Sequence, residues 1–303
     1  MNDTFNLVTS VLIPLLFGFN LLSIFFRGQR LDGLLKLGLS YGLGTGVIAL
    51  WMFYIGVSGL PFNVQTTTLP IIVMSIILTF INLYQNNKAS VNNEISAHKN
   101  LANSSEKLDE YKHLKLNAST LLIFFIGINI LYVFWRALNI PVNSFDVLST
   151  IAFKAKIFFY EAKLPPLNAL PHPTYPLLVP LTLTWTAINL GTWNDQLIQI
   201  TFPCLLLSFL MIFYRFVQYF TDRLWALFGV ALLLSSNFFI VHATIAYRDF
   251  TLMYFNCTTL MLLLLWRKSG TFGYLLTASL FSGISTFVKL EGTSFLVIHY
   301  LIA

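Results

Sequence analysis

Long apolar stretches follow one another along this chain, and they constrain its fold more than any other feature. A helix that crosses the hydrocarbon core of a bilayer needs about 20 such residues. Hydrophobic residues make up 56% of the 303 positions and charged residues 10%, a balance that a water-soluble domain could not keep off its surface. The sequence therefore predicts an all-α, polytopic transmembrane helix bundle. The predicted spans are Phe5–Phe26, Gly38–Val57, Pro70–Tyr84, Ser119–Trp135, Leu197–Tyr214, Leu224–Val241, Phe250–Trp266 and Phe272–Val288, with Ser294–Ala303 opening one more.

Composition divides the chain into three parts. Residues 1–84 are N-terminal transmembrane helices, residues 85–117 form a polar, Asn/Ser-rich loop, and residues 118–303 form the third part. The first span has Arg27 and Arg30 after it and is therefore expected to be an uncleaved anchor. The last apolar run is too short to cross, so we expect the chain to be the N-terminal part of a longer protein.

Lysine and arginine residues indicate the orientation, because they accumulate in short loops on the cytoplasmic side. The strongest candidate for a cytoplasmic segment is 85–117, which carries Lys88, Lys99, Lys107, Lys112 and Lys115. Placing this segment inside puts the N-terminus outside and makes Ile140–Tyr175 an external loop.

The apolar segment Pro176–Leu190 decides the rest of the topology. If it crossed, Arg215 and Arg223 would be external. If it lies along the membrane interface, or enters the membrane and returns to the same side, twelve of the eighteen Lys and Arg residues become cytoplasmic. Apolar segments that do not cross are allowed where protein covers their backbone. We expect the second arrangement. It gathers the ionisable residues of the later loops on one external face: Asp146, His172, Asp249, Lys289 and Glu291.

Two acidic residues at the edges of apolar segments are the candidate catalytic residues. Asp249 directly precedes a span, where a carboxylate is costly unless it has partners or water. Asp146 precedes a stretch with helical spacing, so it can take part in chemistry or simply cap the helix.

The external loop is expected to carry an interfacial helix after Asp146. Its spacing lets apolar residues face lipid while charged residues face water. The predicted lipid-facing residues are Ile151, Phe153, Phe158 and Phe159, and the water-facing ones are Lys154, Lys156 and Glu161. The two lysines can also serve as anchors near the headgroups.

Further candidates for substrate binding lie in the same external segments. Each also has a plainer interpretation: Lys289 and Glu291 can mark a tight turn, and His172 and Tyr175 can be rigid loop residues between prolines. The candidate substrate-binding residues are Lys154, His172, Tyr175, Arg248, Lys289 and Glu291.

Several other functions lack support in the sequence. HExxH and CxxC do not occur, and the one GxSxG match, at 38–42, lies inside an apolar span rather than at a strand-to-helix turn. Hydrolase and zinc-protease functions are therefore not indicated. A glycine series at 42, 44 and 46 resembles a nucleotide loop but lies inside a span, where small residues allow close helix packing. Cys204 and Cys257 are expected to be packing residues. The net charge of +6 fits membrane topology rather than nucleic-acid binding.

Four short motifs occur in order between Ser119 and the end of the chain, each beside a span: SFDVLSTIAFKAK, HPTYPLLVPL, YRDF and FVKLEG. Together they resemble the membrane glycosyltransferases of the GT-C fold, specifically the bacterial, family 39-like relatives of the dolichyl-phosphate-mannose protein mannosyltransferases and the aminoarabinose transferases. The resemblance implies that residues 118–303 are the N-terminal part of a GT-C-like domain in a bacterial inner membrane or plasma membrane.

The resemblance also implies roles for residues at matching positions. Asp146 is expected to be the catalytic base, and Asp249 to help bind the substrate or a divalent metal. Lys289 and the less constant His172 are expected to approach the phosphate of a lipid-linked donor. Asp146 lacks the adjacent glutamate of the protein mannosyltransferases, and Thr174 breaks up the family's proline motif, so the acceptor stays open.

The sequence thus predicts transfer of a sugar from a polyprenyl-phosphate donor to a hydroxyl of a glycan, lipid or protein at the non-cytoplasmic face. Such transfer needs a base near the acceptor and cations near the leaving phosphate. Membrane lipids are expected partners and nucleic acid is not. One alternative is a transporter or flippase component with a polar pathway lined by Asp146, Asp249 and Lys289, and another is a non-catalytic assembly protein.

Overall fold

The computed structural model describes the backbone of residues 3–97 and 118–303 and the side chains of 3–85 and 118–303. Regular structure in these ranges is helical throughout. Six of the helical segments are long and apolar enough to cross a membrane: Asp3–Phe25, Gly33–Val57, Val64–Gln85, Ala118–Asn139, Leu197–Gln218 and Arg248–Ser269. The chain is an all-α, multi-pass membrane helix bundle, as predicted.

Most predicted spans correspond to single helices in the structure. The α-helices in chain order are α1 (Asp3–Phe25), α2 (Gly33–Val57), α3 (Val64–Ala97), α4 (Ala118–Asn139), α5 (Ala152–Tyr160), α6 (Leu178–Leu190), α7 (Thr201–Gln218), α8 (Arg223–Leu234), α9 (Asn237–His242), α10 (Arg248–Ser269), α11 (Phe272–Val288) and α12 (Glu291–Ile302). A 3₁₀ turn, Leu197–Ile200, leads into α7.

Glycines of α2 set the closest helix contacts, as the sequence predicts. A Cβ on Gly44 would lie 1.8 Å from the backbone oxygen of Pro14 in α1. A Cβ on Gly42 would lie 2.0 Å from the hydroxyl of Tyr254 in α10, and that hydroxyl is 2.8 Å from the Ser208 hydroxyl of α7. Helices α1, α7 and α10 therefore pack directly on the backbone of α2, which lies at the centre of the bundle.

The two ends of the bundle differ in their polar contacts. At one end, Arg215 of α7 forms an ion pair with Asp32 at 2.5 Å. At the other end, the amide of Asn6 near the start of α1 donates to the backbone oxygen of Leu190 at 3.3 Å. The charge pattern of the sequence assigns the first end to the cytoplasm and the second to the outside.

Helix α6 lies inside the protein. Twelve of its thirteen residues are buried, and a helix of this length reaches about 20 Å, whereas the hydrocarbon core is about 30 Å thick. Its Trp185 indole donates to the backbone oxygen of Ser10 at 2.9 Å. The segment Pro176–Leu190, which we expect not to cross, thus forms a short helix that neighbouring helices cover.

The predicted span Leu224–Val241 is wrong as one continuous helix. Helix α8 ends at Leu234, and α9 begins at Asn237. Ser236 between them accepts a hydrogen bond on its side-chain oxygen from the backbone N–H of Phe239 at 3.4 Å. Serine at a helix start satisfies a backbone donor locally, so the serine pair at 235 and 236 supports a break that apolar composition alone does not indicate.

The boundary predicted at residue 85 does not coincide with a helix end. Helix α3 continues to Ala97, and the remainder of the predicted loop, 98–117, lies outside the described residues. Asn and Ser have modest helix propensity, which favours a loop only weakly.

The topology can be checked with cysteines introduced singly at Thr192 and Thr221, which are both exposed. We expect an impermeant thiol reagent to label Thr192→Cys and Thr221→Cys from opposite sides of the membrane. The reason is that α7 crosses the membrane between these two positions, whereas α6 stays in one half of the bilayer. The parent protein, with Cys204 and Cys257 only half-buried, gives the background labelling. Labelling of both sites from one side would contradict this topology.

Candidate functional site

A cavity of about 580 Å³ lies where the segment between α4 and α6 meets the starts of α10 and α12. The sequence predicts eight site residues, and seven of them line this cavity: Asp146, His172, Tyr175, Arg248, Asp249, Lys289 and Glu291. Lys154 lies behind the wall rather than in it. The fold therefore brings together residues that are up to 145 positions apart in the chain, from Asp146 to Glu291.

Asp146 is exposed, and its side chain makes no capping hydrogen bond. The interpretation of this residue as a helix cap is therefore wrong. Its carboxylate has no hydrogen-bond partner in the described part of the chain, although its charge interacts with Arg248 across the cavity. Asp146 is thus a free acceptor facing the cavity.

A π-helical turn follows Asp146 and orients the residues after it. The turn spans Val147–Ile151 and is closed by a bond from the Ala152 N–H to the Val147 carbonyl. It inserts one residue relative to an α-helix, which rotates the positions that follow by about 100°. Single-turn π insertions occur frequently at functional sites.

The amphipathic pattern predicted for this segment is wrong for three residues, whereas Phe153, Lys156 and Glu161 are exposed as expected. Ile151 and Phe158, expected to face lipid, are 3% and 0% exposed, and Lys154, expected to face water, is 2% exposed. The Thr184 hydroxyl of α6 donates to the backbone oxygen of Ala155 at 3.3 Å. Helix α5 therefore packs on α6 through a face that the sequence predicted to be exposed to lipid or water.

Lys154 supports the cavity wall from behind. Its ammonium donates to the backbone oxygen of His172 at 2.9 Å, where the chain takes a left-handed conformation with φ of 48°. Burial, together with the nearby charge of Arg248, lowers the pKa of Lys154 to about 8. The lysine therefore fixes the loop that carries His172 and Tyr175, and it is not a headgroup anchor.

Arg248 stacks on the aromatic side of the cavity. Its guanidinium carbon lies 4.2 Å from the ring centroid of Tyr175, and the His172 ring is stacked on Tyr175 at 4.7 Å with an angle of 13°. Arg248 forms no ion pair with any described carboxylate, although Asp249 and Glu291 are near enough to interact with its charge. It is the cation of the cavity that a ligand can engage.

Lys289 is bound by two carboxylates. Its ammonium lies 2.9 Å from Asp249 and 3.1 Å from Glu291. Partial burial alone would lower the pKa of Lys289, but hydrogen bonds to the two carboxylates outweigh it and raise this pKa above its usual value. The turn expected from the sequence is also present, because the Gly292 N–H donates to the Lys289 carbonyl at 2.9 Å. Lys289 therefore connects α10 to α12.

Sequence reasoning missed two polar residues of the cavity, Thr150 and Tyr247. The Tyr247 hydroxyl forms a hydrogen bond with the Ser144 hydroxyl, which fixes the loop before Asp146 against the start of α10. Tyr247 is the first residue of the YRDF motif, so its position beside Arg248 was a signal that could have found it. Thr150 offered no signal of its own.

The residues of the cavity do not form the ligand set that a divalent metal needs. Within the described residues, no three His, Cys, Asp or Glu side chains gather in a group suited to a metal ion. Lys289 already occupies the Oδ1 oxygen of Asp249, the carboxylate for which the family resemblance implies a metal. We therefore derive no step through a metal ion.

Fold and site together define a multi-pass helical membrane protein with a charged cavity at one end of its bundle. Comparison with family models, curated protein sequences and solved structures found no match for this chain.

Proposed function

We propose that this protein is a membrane glycosyltransferase of the GT-C type, related to the bacterial family 39-like enzymes. It transfers a sugar from a polyprenyl-phosphate donor to an acceptor hydroxyl at the non-cytoplasmic face. The observation that carries the proposal is one cavity in which Asp146 faces Arg248, and neither side chain has an ion-pair partner among the described residues. Such a transfer requires a base and a phosphate-binding cation in the same space.

The chemistry follows from these two groups. Asp146 accepts the proton of the acceptor hydroxyl while that oxygen bonds to the anomeric carbon of the sugar. The bond from this carbon to the phosphate oxygen breaks, and polyprenyl phosphate leaves with the electron pair. Arg248 stabilises the phosphate with paired N–H donors, a geometry that guanidinium groups supply. Positioning of the reactants contributes much of the rate.

Asp249 and Glu291 are suited to bind the hydroxyl groups of the sugar. Both carboxylates are more than half exposed, at 60% and 56%, while Lys289 holds one oxygen of each. Carboxylate oxygens only accept hydrogen bonds, so the remaining lone pairs fit the hydroxyl groups of a sugar. Lys289 is thereby a positioning residue for both acids.

Apolar side chains beside the cavity fit a lipid-linked donor. Phe145, next to Asp146, is 81% exposed, and Leu290, next to Lys289, is 51% exposed. Large exposed apolar residues beside a polar cavity mark a surface that contacts lipid or an apolar ligand. A polyprenyl chain can therefore lie against this rim while its phosphate reaches Arg248.

The placement of charges in the described helices favours an enzyme over a transporter. Asp249 lies in the first turn of α10, and Arg267 and Lys268 lie in its last turn. Arg136 and Arg215 lie in the last turns of α4 and α7. A polar pathway through the bundle would need ionisable groups at depth, and these charges stand at the helix ends instead.

The proposal is tested by reconstituting the protein in liposomes with a panel of radiolabelled polyprenyl-phosphate sugars and with glycan, lipid and peptide acceptors that carry free hydroxyl groups. We expect the parent protein to release free polyprenyl phosphate from one donor of the panel, measured by extraction and chromatography. Asp146→Asn, in liposomes with the same protein content, serves as the matched control and should release little. Movement of intact donor between the leaflets, without cleavage of the sugar–phosphate bond, would contradict the proposal and favour a flippase.

A further inference from the structure

A second cavity, of about 920 Å³, lies at the opposite end of the bundle, between α1, α3 and the start of α2. The charge pattern of the sequence assigns this end to the cytoplasm. We call this cavity the cationic groove, because the charged residues that line it are Arg27 and Lys36, and no carboxylate is found among its described lining residues. The groove is separate from the candidate glycosyltransferase site.

The two cations of the groove have no acidic partner in the described part of the chain. The Lys36 ammonium donates to the Ser23 hydroxyl at 2.7 Å and lies 3.7 Å from the ring centroid of Phe19. Asp32, the acid nearest to them in the sequence, is paired with Arg215. Among the described residues, two positive charges therefore remain without an acidic partner where an apolar surface meets the membrane boundary.

The walls of the groove are fixed by polar contacts between α1 and α3. The amide of Asn20 donates to the Thr79 hydroxyl at 2.9 Å, and the amide of Asn82 donates to the backbone oxygen of Asn20 at 3.1 Å. Phe19 and Leu83, which also line the groove, are 38% and 54% exposed. The groove thus has a polar interior and an apolar flank that continues along the helices.

We propose that the cationic groove binds the phosphate headgroup of an anionic phospholipid from the cytoplasmic leaflet. Basic pockets between transmembrane helices on this side recognise anionic headgroups, and a phosphate would compensate both cations through charge-assisted hydrogen bonds. The acyl chains lie along the exposed apolar surface beside Phe19 and Leu83. The lipid would thereby connect α3 to the core helices, which α3 contacts mainly through α1.

The test is native mass spectrometry of the protein from nanodiscs that contain equal amounts of phosphatidylglycerol and phosphatidylcholine. We expect the parent protein to retain phosphatidylglycerol selectively, and the double variant Arg27→Gln/Lys36→Gln to lose about tenfold in its retention. The matched control is Arg30→Gln, which removes an exposed charge three positions from Arg27 but outside the groove, and which should retain the lipid as the parent does.

Two results would overturn the proposal: equal retention of both lipids by the parent, or an equal loss in Arg30→Gln. A second arm adds inorganic phosphate, and displacement of the lipid by it would identify a soluble anion as the ligand instead. Helical circular dichroism confirms folding of each variant. If the double variant does not fold, lipid retention by the single variant Arg27→Gln tests the proposal instead. Arg27 is exposed and its side chain contributes little packing, so this variant should fold.

Discussion

Replacing Asp146 by Asn is expected to lower the rate of glycosyl transfer by about 10²–10⁴-fold, the usual contribution of a general base. Asn has the same size but cannot accept the proton of the acceptor hydroxyl. Folding should be unchanged, because the Asp146 side chain makes no capping bond and is exposed. The measurement is product formation per folded protein, with donor binding measured separately.

Donor binding distinguishes a chemical role for Asp146 from a structural one. The affinity of Asp146→Asn for the polyprenyl-phosphate sugar should stay within a few fold of the parent protein, since the proposed phosphate contact is Arg248. Near-normal turnover in this variant would rule out Asp146 as the base. Loss of membrane insertion or folding would show that the residue is needed for the structure.

Replacing Arg248 by Gln is expected to weaken donor binding by about ten- to a hundredfold, which corresponds to a lost charge-assisted contact of roughly 1.5–3 kcal/mol. Arg248→Lys should recover only part of this affinity, because an ammonium group does not present two parallel N–H donors to a phosphate. Binding is measured by competition between the labelled donor and polyprenyl phosphate in detergent micelles.

The matched control for Arg248 is Lys163→Gln, which removes a positive charge from the same external loop. Lys163 is exposed and lies 3.7 Å from Glu161, outside the cavity, so this variant should bind the donor as the parent does. Lys289→Gln should weaken binding less than Arg248→Gln, because two carboxylates already share its charge. Equal losses in Arg248→Gln and Lys163→Gln would indicate a general effect of net charge.

Hydropathy alone predicted most of the long helices, although not the break between α8 and α9. Helix α11 has the bounds predicted from the sequence, Phe272–Val288, because an apolar run in lipid must satisfy its backbone donors and acceptors within the segment and therefore becomes a helix. The distribution of Lys and Arg residues also indicated that the segment Pro176–Leu190 does not cross. That inference placed Asp146, Asp249 and Lys289 in one region before any contact between them was known.

Only the tertiary structure decided which side chains are free to act. Asp249 and Lys289 are 40 positions apart, and their ion pair depends on how α10 and α11 pack, which no local pattern specifies. The burial of Lys154 depends on the packing of α5 against α6 and on the backbone oxygen of His172, which accepts its hydrogen bond.

The physical reason for this division is the range of the interactions. Membrane partition and helix formation depend on residues within about 20 positions, so the sequence determined the helices and the face on which the polar loops gather. The charge that remains available in the cavity depends on contacts between distant segments. Within the part of the chain that the structure describes, Arg248 forms no ion pair whereas Lys289 does, and Asp146 is an uncommitted acceptor rather than a helix cap.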